Sequence, residues 1–248
     1  MKPSAGGNRW AATDVSTGGL QAPPANLHDC LRDRESRREF GDGALSAAEL
    51  SFLLWATQGV KRVIGNGIVT LRPVPSAGAR HPFETYLVIN RVDGVRPGLY
   101  RYLPISHQLQ ELPTPAAIGD QMRTVSAGEE WPAAAAAVFL WSCVAERGEW
   151  AYGATAHKMM LLDAGHIAQN LYLACEAIGC GTCAYAGYSH NANQDGGPLC
   201  SIARLTSLAC ACRHSASARC GYPSPHPTPT LTETSSSSRQ SMRQRPYR

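Results

Sequence analysis

Three stretches of the chain carry residue types that could do chemistry. The first holds Arg34, Ser36 and Arg38 at alternate positions. In an extended segment these side chains point the same way, and in a helix the two arginines still share a face. Two fixed guanidinium groups and a hydroxyl suit a phosphate dianion, which Arg binds in a bidentate manner. The pattern equally describes a charged helix end in which Glu35 and Glu39 pair with the arginines, and spacing alone favours that interpretation.

The second and third stretches are rich in small residues. One is the loop from Pro75 to Ala79 (PSAGA), and the other is the run 181–187 that follows a helix stop at Gly179. Backbone with little side chain can approach a flat ring closely, although both stretches also fit plain structural roles. Together the three stretches would suit one elongated ligand with a phosphate end and a planar end, and FMN has that shape.

One long helix is predicted between Tyr152 and Ile178, where apolar residues recur at spacings of three and four. Asp163, His166 and Asn170 share a second, polar face of this helix. Apolar residues also fill other positions, so we expect a helix buried on several sides. Gly179 is expected to end it, because the residue past a helix C-terminus often needs a positive φ.

The remaining pattern predicts an α+β fold with a largely antiparallel sheet flanked by helices. Ser46 and Glu49 form a capping box that opens a second helix. A connection is expected at Glu146–Trp150. The predicted strands are 85–90, the hairpin 98–102 and 108–112, the buried central run 135–144, and 185–188.

Charge and composition exclude several classes of function. The net charge of the 248 residues is +4, but the segment from Asn191 onward carries +5 and residues 1–190 carry −1. Residues 1–190 therefore lack the excess positive charge that is typical of nucleic-acid-binding domains. No apolar run suits a membrane span or a signal peptide, so we expect a cytoplasmic protein. The nine cysteines follow no metal-ligand spacing, and no metal site is predicted.

Composition also divides the chain into three parts. Residues 1–25 are predicted to be a flexible leader, 26–190 one folded domain, and 191–248 a disordered or aberrant tail. The abrupt change at Asn191 to a segment rich in Cys, Ser, Pro and Arg is interpreted as a shifted reading frame or a truncated gene.

Several motifs in order across residues 27–190 resemble one family. They read RESRREF, LSAAELSFLLWATQGV, RPVPSAGARHPFETYLV, GLYRYLPISHQL and LLDAGHIAQNLYLACEAIGCGTCA. The chain resembles the nitroreductase-like flavoproteins, and more closely their SagB-type branch, the azoline-oxidising dehydrogenases of peptide natural-product pathways. The resemblance implies a homodimer with an FMN site at each end of the subunit interface. It also implies a further strand after Asn191, which the sequence pattern does not reveal.

The resemblance assigns roles to three sets of residues. One set holds the flavin phosphate and ribityl chain, one meets the flavin from the partner subunit, and one packs beside the ring and its reactive nitrogen. The first set, at the phosphate and ribityl chain, is Arg34, Ser36 and Arg38. The second, from the partner subunit, is Pro75, Ser76 and Gly78. The third, beside the ring, is Ala184, Ala186 and Gly187.

The resemblance also implies the reaction. In such enzymes the flavin carries the hydride chemistry, with NADH or NADPH as a possible donor and a small molecule or peptide as substrate. The SagB-type branch implies a Lys-Tyr pair as the base, and here that place reads Ala151-Tyr152. Tyr152 is thus the catalytic candidate. The missing lysine favours a general FMN-dependent oxidoreductase, or a weakened enzyme, over an azoline dehydrogenase. A degenerate, non-catalytic flavin-fold protein is the other alternative.

Overall fold

Helices and strands are mixed along the described part of the chain, which comprises residues 24–186 and two strands at 12–14 and 206–213 of the computed structural model. All of these residues belong to one unit, Met1–Ala218. The helices are α1 Leu27–Asp33, α2 Ala47–Gln58, α3 Ile118–Val125, α4 Trp131–Ala134, α5 Glu146–Tyr152 and α6 Ala156–Ala177. Short 3-10 turns are formed by Ala77–Ala79 and Gly153–Thr155.

A seven-stranded antiparallel sheet forms the centre of the fold, in the order β1-β6-β5-β4-β7-β9-β8. A separate hairpin pairs β2 with β3. The α+β class with a largely antiparallel sheet is therefore confirmed. The strands are β1 Ala12–Asp14, β2 Arg62–Ile64, β3 Val69–Leu71, β4 Phe83–Ile89, β5 Gly98–Leu103, β6 Gln108–Leu112, β7 Ala137–Cys143, β8 Cys180–Tyr185 and β9 Thr206–Arg213.

Both faces of the sheet are covered, which explains the continuous apolar run of β7. Side chains alternate along a strand, so Phe139 and Trp141 enter the core on one face while Val138 and Leu140 enter the core on the other. The first core also contains residues of α2 and α6, and the second contains residues of α3. The predicted buried central strand is confirmed.

Local signals set the ends of the two large helices. The Ser46 hydroxyl accepts a hydrogen bond from the backbone N–H of Glu49, and the Glu49 carboxylate accepts one from the backbone N–H of Ser46. Gly179 follows α6 with a φ of 68°. Both the capping box and the glycine stop are thus confirmed.

Four of the described strands were not predicted from the sequence pattern. Strand β9 lies between β7 and β8, so the prediction of a disordered tail is wrong for Thr206–Arg213. Strand β1 pairs with β6, so the leader prediction is wrong for Ala12–Asp14. The hairpin of β2 and β3 lies where no strand was predicted. Strands β1 and β9 consist mostly of polar or small residues, and apolar periodicity does not report their main-chain pairing.

Three expectations about residues 146–188 also need correction. Residues Glu146–Tyr152 form helix α5 rather than a connection. The predicted last strand begins earlier, at Cys180, and residues 187–188 lie outside the described residues. The third concerns helix α6, which was expected to be buried on several sides. Leu161 and Leu162 of this helix are 75% and 59% exposed.

Candidate functional site

The arginine-rich segment is extended rather than helical. Helix α1 ends at Asp33, and Ser36 then forms a parallel bridge with Thr182 of β8. The backbone N–H of Arg37 donates to the carbonyl of Thr182 over 3.0 Å. Because side chains alternate in extended chain, Arg34, Ser36 and Arg38 are on one side and Arg37 is on the other.

The two outer arginines contact rings and not carboxylates. The Arg34 guanidinium lies 5.3 Å from the centre of the Tyr172 ring, and that of Arg38 lies 6.0 Å from the Trp131 ring. Glu35, expected to pair with them, instead pairs with Arg37. No ion pair among residues 24–186 includes Arg34 or Arg38. Their charge can therefore bind an anion.

Tyr172 joins this segment to strand β8. Its hydroxyl oxygen lies 2.8 Å from the Ser36 hydroxyl and accepts a hydrogen bond of 2.9 Å from the backbone N–H of Ala184. Ala186 follows β8 and is exposed, and Gly187 lies outside the described residues. Sequence reasoning missed Tyr172 because it is one tyrosine among apolar helix residues. Its hydroxyl was the available signal, since a partly buried phenol usually has a hydrogen-bond partner.

The second predicted set is anchored to the other end of α6. The Ser76 hydroxyl donates to Asp163 Oδ2 over 2.6 Å, and the backbone N–H of Ala77 donates to Oδ1 over 3.2 Å. Asp163 is 4% exposed, so these donors compensate a buried acceptor. The exposed Pro75 precedes this anchored turn.

Tyr152 meets the same loop at Gly78. A Cβ atom on Gly78 would lie 2.5 Å from the Tyr152 hydroxyl oxygen, and Gly78 has a φ of 56°. Both the contact and the left-handed backbone conformation favour glycine at this position. The structure thus places the catalytic candidate beside the loop.

The two groups of residues lie on opposite sides of α6. Asp163 and Tyr172 are nine positions apart in this helix, which is about two and a half turns and about 14 Å along the axis. Within one chain the arginine group and the loop group are therefore separated by the helix itself.

His81 connects the loop to the small hairpin. Its backbone N–H donates to the Ser76 hydroxyl over 2.9 Å, and its ring Nε2 lies 3.2 Å from the carbonyl oxygen of Thr70. Burial, and then the nearby charge of Arg72, lower the pKa of His81 to about 4. The imidazole is therefore neutral at pH 7 and serves as a hydrogen-bonding group of the loop.

Two classes of site are not found in the described part of the chain. No group of three or more His, Cys, Asp or Glu residues there is arranged to hold a metal ion. No helix there has the length and apolar character needed to cross a membrane.

Replacing Tyr172 by Phe tests the junction with β8. Tyr172→Phe keeps the ring under Arg34 but leaves the Ala184 N–H without its acceptor, so we expect a loss of about 1–2 kcal/mol in the free energy of unfolding. Urea denaturation measures this. Tyr185→Phe is the matched control, since its hydroxyl makes only a long 3.5 Å contact with the Ser126 carbonyl. Equal losses in the two variants would contradict a special role for Tyr172.

The lowered pKa of His81 predicts a pH-dependent stability. Between pH 6.5 and about 4 the unfolded chain binds a proton at His81 that the folded chain does not. The free energy of unfolding should therefore fall as the pH is lowered from 7 to 5. Asparagine tolerates the positive φ of this residue, so His81→Asn should show a shallower fall in urea denaturation. His157→Asn, on the exposed side of α6, should behave as wild type, and parallel curves for all three proteins would refute the prediction.

Comparison with known proteins places the chain in a family. The nitroreductase family model matches residues 31–211. MJ1384 of Methanocaldococcus jannaschii, named as a nitroreductase, is 32% identical over 165 residues, which cover 66% of this chain and 80% of that protein. The microcin B17-processing protein McbC of Escherichia coli is 28% identical over 123 residues, 48% of this chain but only 45% of McbC. The McbC match supports the resemblance to the SagB-type branch.

Solved structures agree at the level of the fold. A Ralstonia eutropha protein described as a nitroreductase superposes with a TM-score of 0.65 at 22% identity, covering 83% of this chain and 90% of the other. The Escherichia coli microcin synthetase McbBCD, in complex with truncated pro-MccB17, contains a chain that superposes with a TM-score of 0.57 at 20% identity, covering 80% and 76%. The chain belongs to the nitroreductase family, whose members are FMN-dependent oxidoreductases.

Proposed function

We propose that this chain is an FMN-dependent oxidoreductase of nitroreductase type that transfers hydride through bound flavin. The observation that carries the proposal is the pair of guanidinium groups at Arg34 and Arg38, beside strand β8 and without carboxylate partners among residues 24–186. Family membership then selects FMN from the anions that such a pair could bind.

The phosphate end of FMN fits the arginine segment. Arg34 and Arg38 can each donate two N–H bonds to phosphate oxygens, and the exposed Ser36 hydroxyl adds a third donor between them. The rings of Tyr172 and Trp131 hold the guanidinium groups in place through cation–π contacts. A preordered cation pair loses little side-chain entropy when the ligand binds.

The planar end of the flavin is assigned to the chain that leaves β8. Ala184, Ala186 and Gly187 carry little or no side chain, so their backbone groups can approach the ring and its reactive nitrogen. The Ala184 amide is fixed by Tyr172, which also contacts Ser36. One phenol therefore sets the distance between the proposed phosphate and ring ends of the site.

A second copy of the chain completes the site in this proposal. Pro75, Ser76 and Gly78 lie on the side of α6 away from the arginine segment, so a partner subunit would supply this loop. The exposed Leu161 and Leu162 give α6 an apolar surface for the contact between subunits. We therefore propose a homodimer with two composite sites, each formed by the arginine segment of one subunit and the loop of the other.

FMN, when bound, supplies the ring that accepts a hydride from a donor and passes it to an acceptor. We assign NADH or NADPH as the donor and a small molecule or peptide as the acceptor, in the cytoplasm. The protein would bind and orient the flavin, and we assign to the Tyr152 hydroxyl, which lies beside Gly78, the role of giving or taking a proton.

An azoline dehydrogenase acting on a ribosomal peptide is the alternative enzyme. It is favoured by the similarity to McbC, which is named for processing microcin B17. Ala151 argues against it, because that reaction requires a base and the SagB-type branch is expected to use a Lys-Tyr pair here. A flavin-fold protein without turnover is the other alternative, and bound flavin without reduction of any acceptor would support it.

Arginine substitutions test the flavin site. Arg34→Ala and Arg38→Ala should each weaken FMN binding by about 10- to 100-fold, because each removes a charge-assisted contact to the phosphate. Titration by flavin fluorescence measures the affinity. Arg32→Ala is the matched control, since this arginine already pairs with Asp29 and Asp33 on exposed α1. It should change the affinity less than about twofold, because it lies outside the proposed phosphate contacts.

The absorbance spectrum of the purified protein is the companion measurement. A flavin spectrum, with FMN identified by chromatography after denaturation, is the expected result. A colourless protein that takes up no added FMN would overturn the proposed function.

A further inference from the structure

Helix α5 carries Tyr152 at its last position and is only seven residues long. Because a helix of this length has little stability of its own, its position depends on contacts with neighbouring elements. Two of those contacts are made by one residue near its start, Arg147.

Arg147 binds a glutamate that a second arginine also binds. Glu84 on β4 accepts a hydrogen bond of 2.9 Å from Arg101 on β5 through one carboxylate oxygen, and another from Arg147 through the other. The Glu84 side chain is 14% exposed, while those of the two arginines are 39% and 40% exposed. Burial raises the pKa of Glu84, but the bonds from the arginines more than offset this and leave the pKa below its ordinary value. Glu84 is therefore ionised at neutral pH.

The second nitrogen of Arg147 reaches the loop. Its Nη1 donates to the carbonyl oxygen of His81 over 3.2 Å. His81 in turn donates its backbone N–H to Ser76, which donates to Asp163 of α6. Arg147 thus fastens α5 both to the sheet and to the residue that fixes the loop around Gly78.

From these contacts we infer that Arg147 is a positioning residue that holds the Tyr152 hydroxyl against Gly78. Arg101 shares the same glutamate, but among residues 24–186 it makes no hydrogen bond to α5 or to the loop. Comparing variants of Arg147 and Arg101 therefore distinguishes positioning of Tyr152 from simple neutralisation of the Glu84 charge. The role of Tyr152 itself rests on the proposed function.

Amide hydrogen exchange tests the positioning without any flavin. In Arg147→Ala we expect exchange of the amides at 148–152 to accelerate by about tenfold, because losing a charge-assisted anchor lets α5 open locally. Arg101→Ala should leave these amides unchanged. Arg147→Lys, which keeps the charge but has one nitrogen in place of the two that reach Glu84 and His81, should be intermediate. Equal exchange of α5 in the two alanine variants would overturn the inference.

Steady-state kinetics with FMN-loaded protein, NADH and a nitroaromatic acceptor tests the link to Tyr152. Arg147→Ala should lower kcat as Tyr152→Phe does, with little change in the KM for NADH. The double variant should be no slower than Tyr152→Phe alone, because one residue acts through the other. Additive losses would contradict the inference. Wild-type protein that binds no FMN would instead refute the proposed function, and the exchange experiment would still decide the role of Arg147.

Discussion

Helix α6 presents a carboxylate on one side and a phenol on the other, and both parts of the proposed site depend on them. Asp163 accepts hydrogen bonds from Ser76 and Ala77, while Tyr172 contacts Ser36 and the backbone of β8. Since the two lie about two and a half turns apart, one chain presents its two binding surfaces in opposite directions. This arrangement supports the proposal of a site shared between two copies of the chain.

The two surfaces differ in how their charges are compensated. Asp163 is buried and receives two protein donors, so its cost of burial is offset within the chain. Arg34 and Arg38 contact aromatic rings, and no carboxylate among residues 24–186 pairs with them. Their positive charges are therefore available to a ligand. We therefore expect the arginine segment, rather than the loop, to be the part that is stabilised when an anion binds.

The sequence pattern correctly predicted those elements that are determined by residues close together in the chain. The capping box of Ser46, the stop at Gly179 and the apolar central strand β7 depend on neighbouring residues, and the structure has all three. Strand β9 depends on pairing with two distant strands, and its small residues give no apolar alternation, so the pattern missed it.

The same distinction applies to the candidate site. The extended geometry of the arginine segment was one of two conformations that the spacing allowed, and pairing with Thr182 selects it. The contacts of Tyr172 with Ala184, and of Tyr152 with Gly78, join residues whose proximity depends on the fold. Periodicity could place Tyr152 and Tyr172 in the helical region but could not identify their partners. The resemblance to the nitroreductase-like family identified Tyr152, Gly78 and Ala184, while Tyr172 and Arg147 emerged only from the structure.

The most direct test of a shared site is the flavin content of a hybrid dimer. One chain would carry Arg34→Ala with Arg38→Ala, the other Gly78→Val, and different affinity tags would isolate the mixed dimer. Neither parent variant should retain FMN, whereas the hybrid should bind about one FMN per dimer against about two for wild type, because one composite site stays intact. A hybrid without FMN, or a Gly78→Val protein that binds as wild type does, would contradict a site built from two subunits.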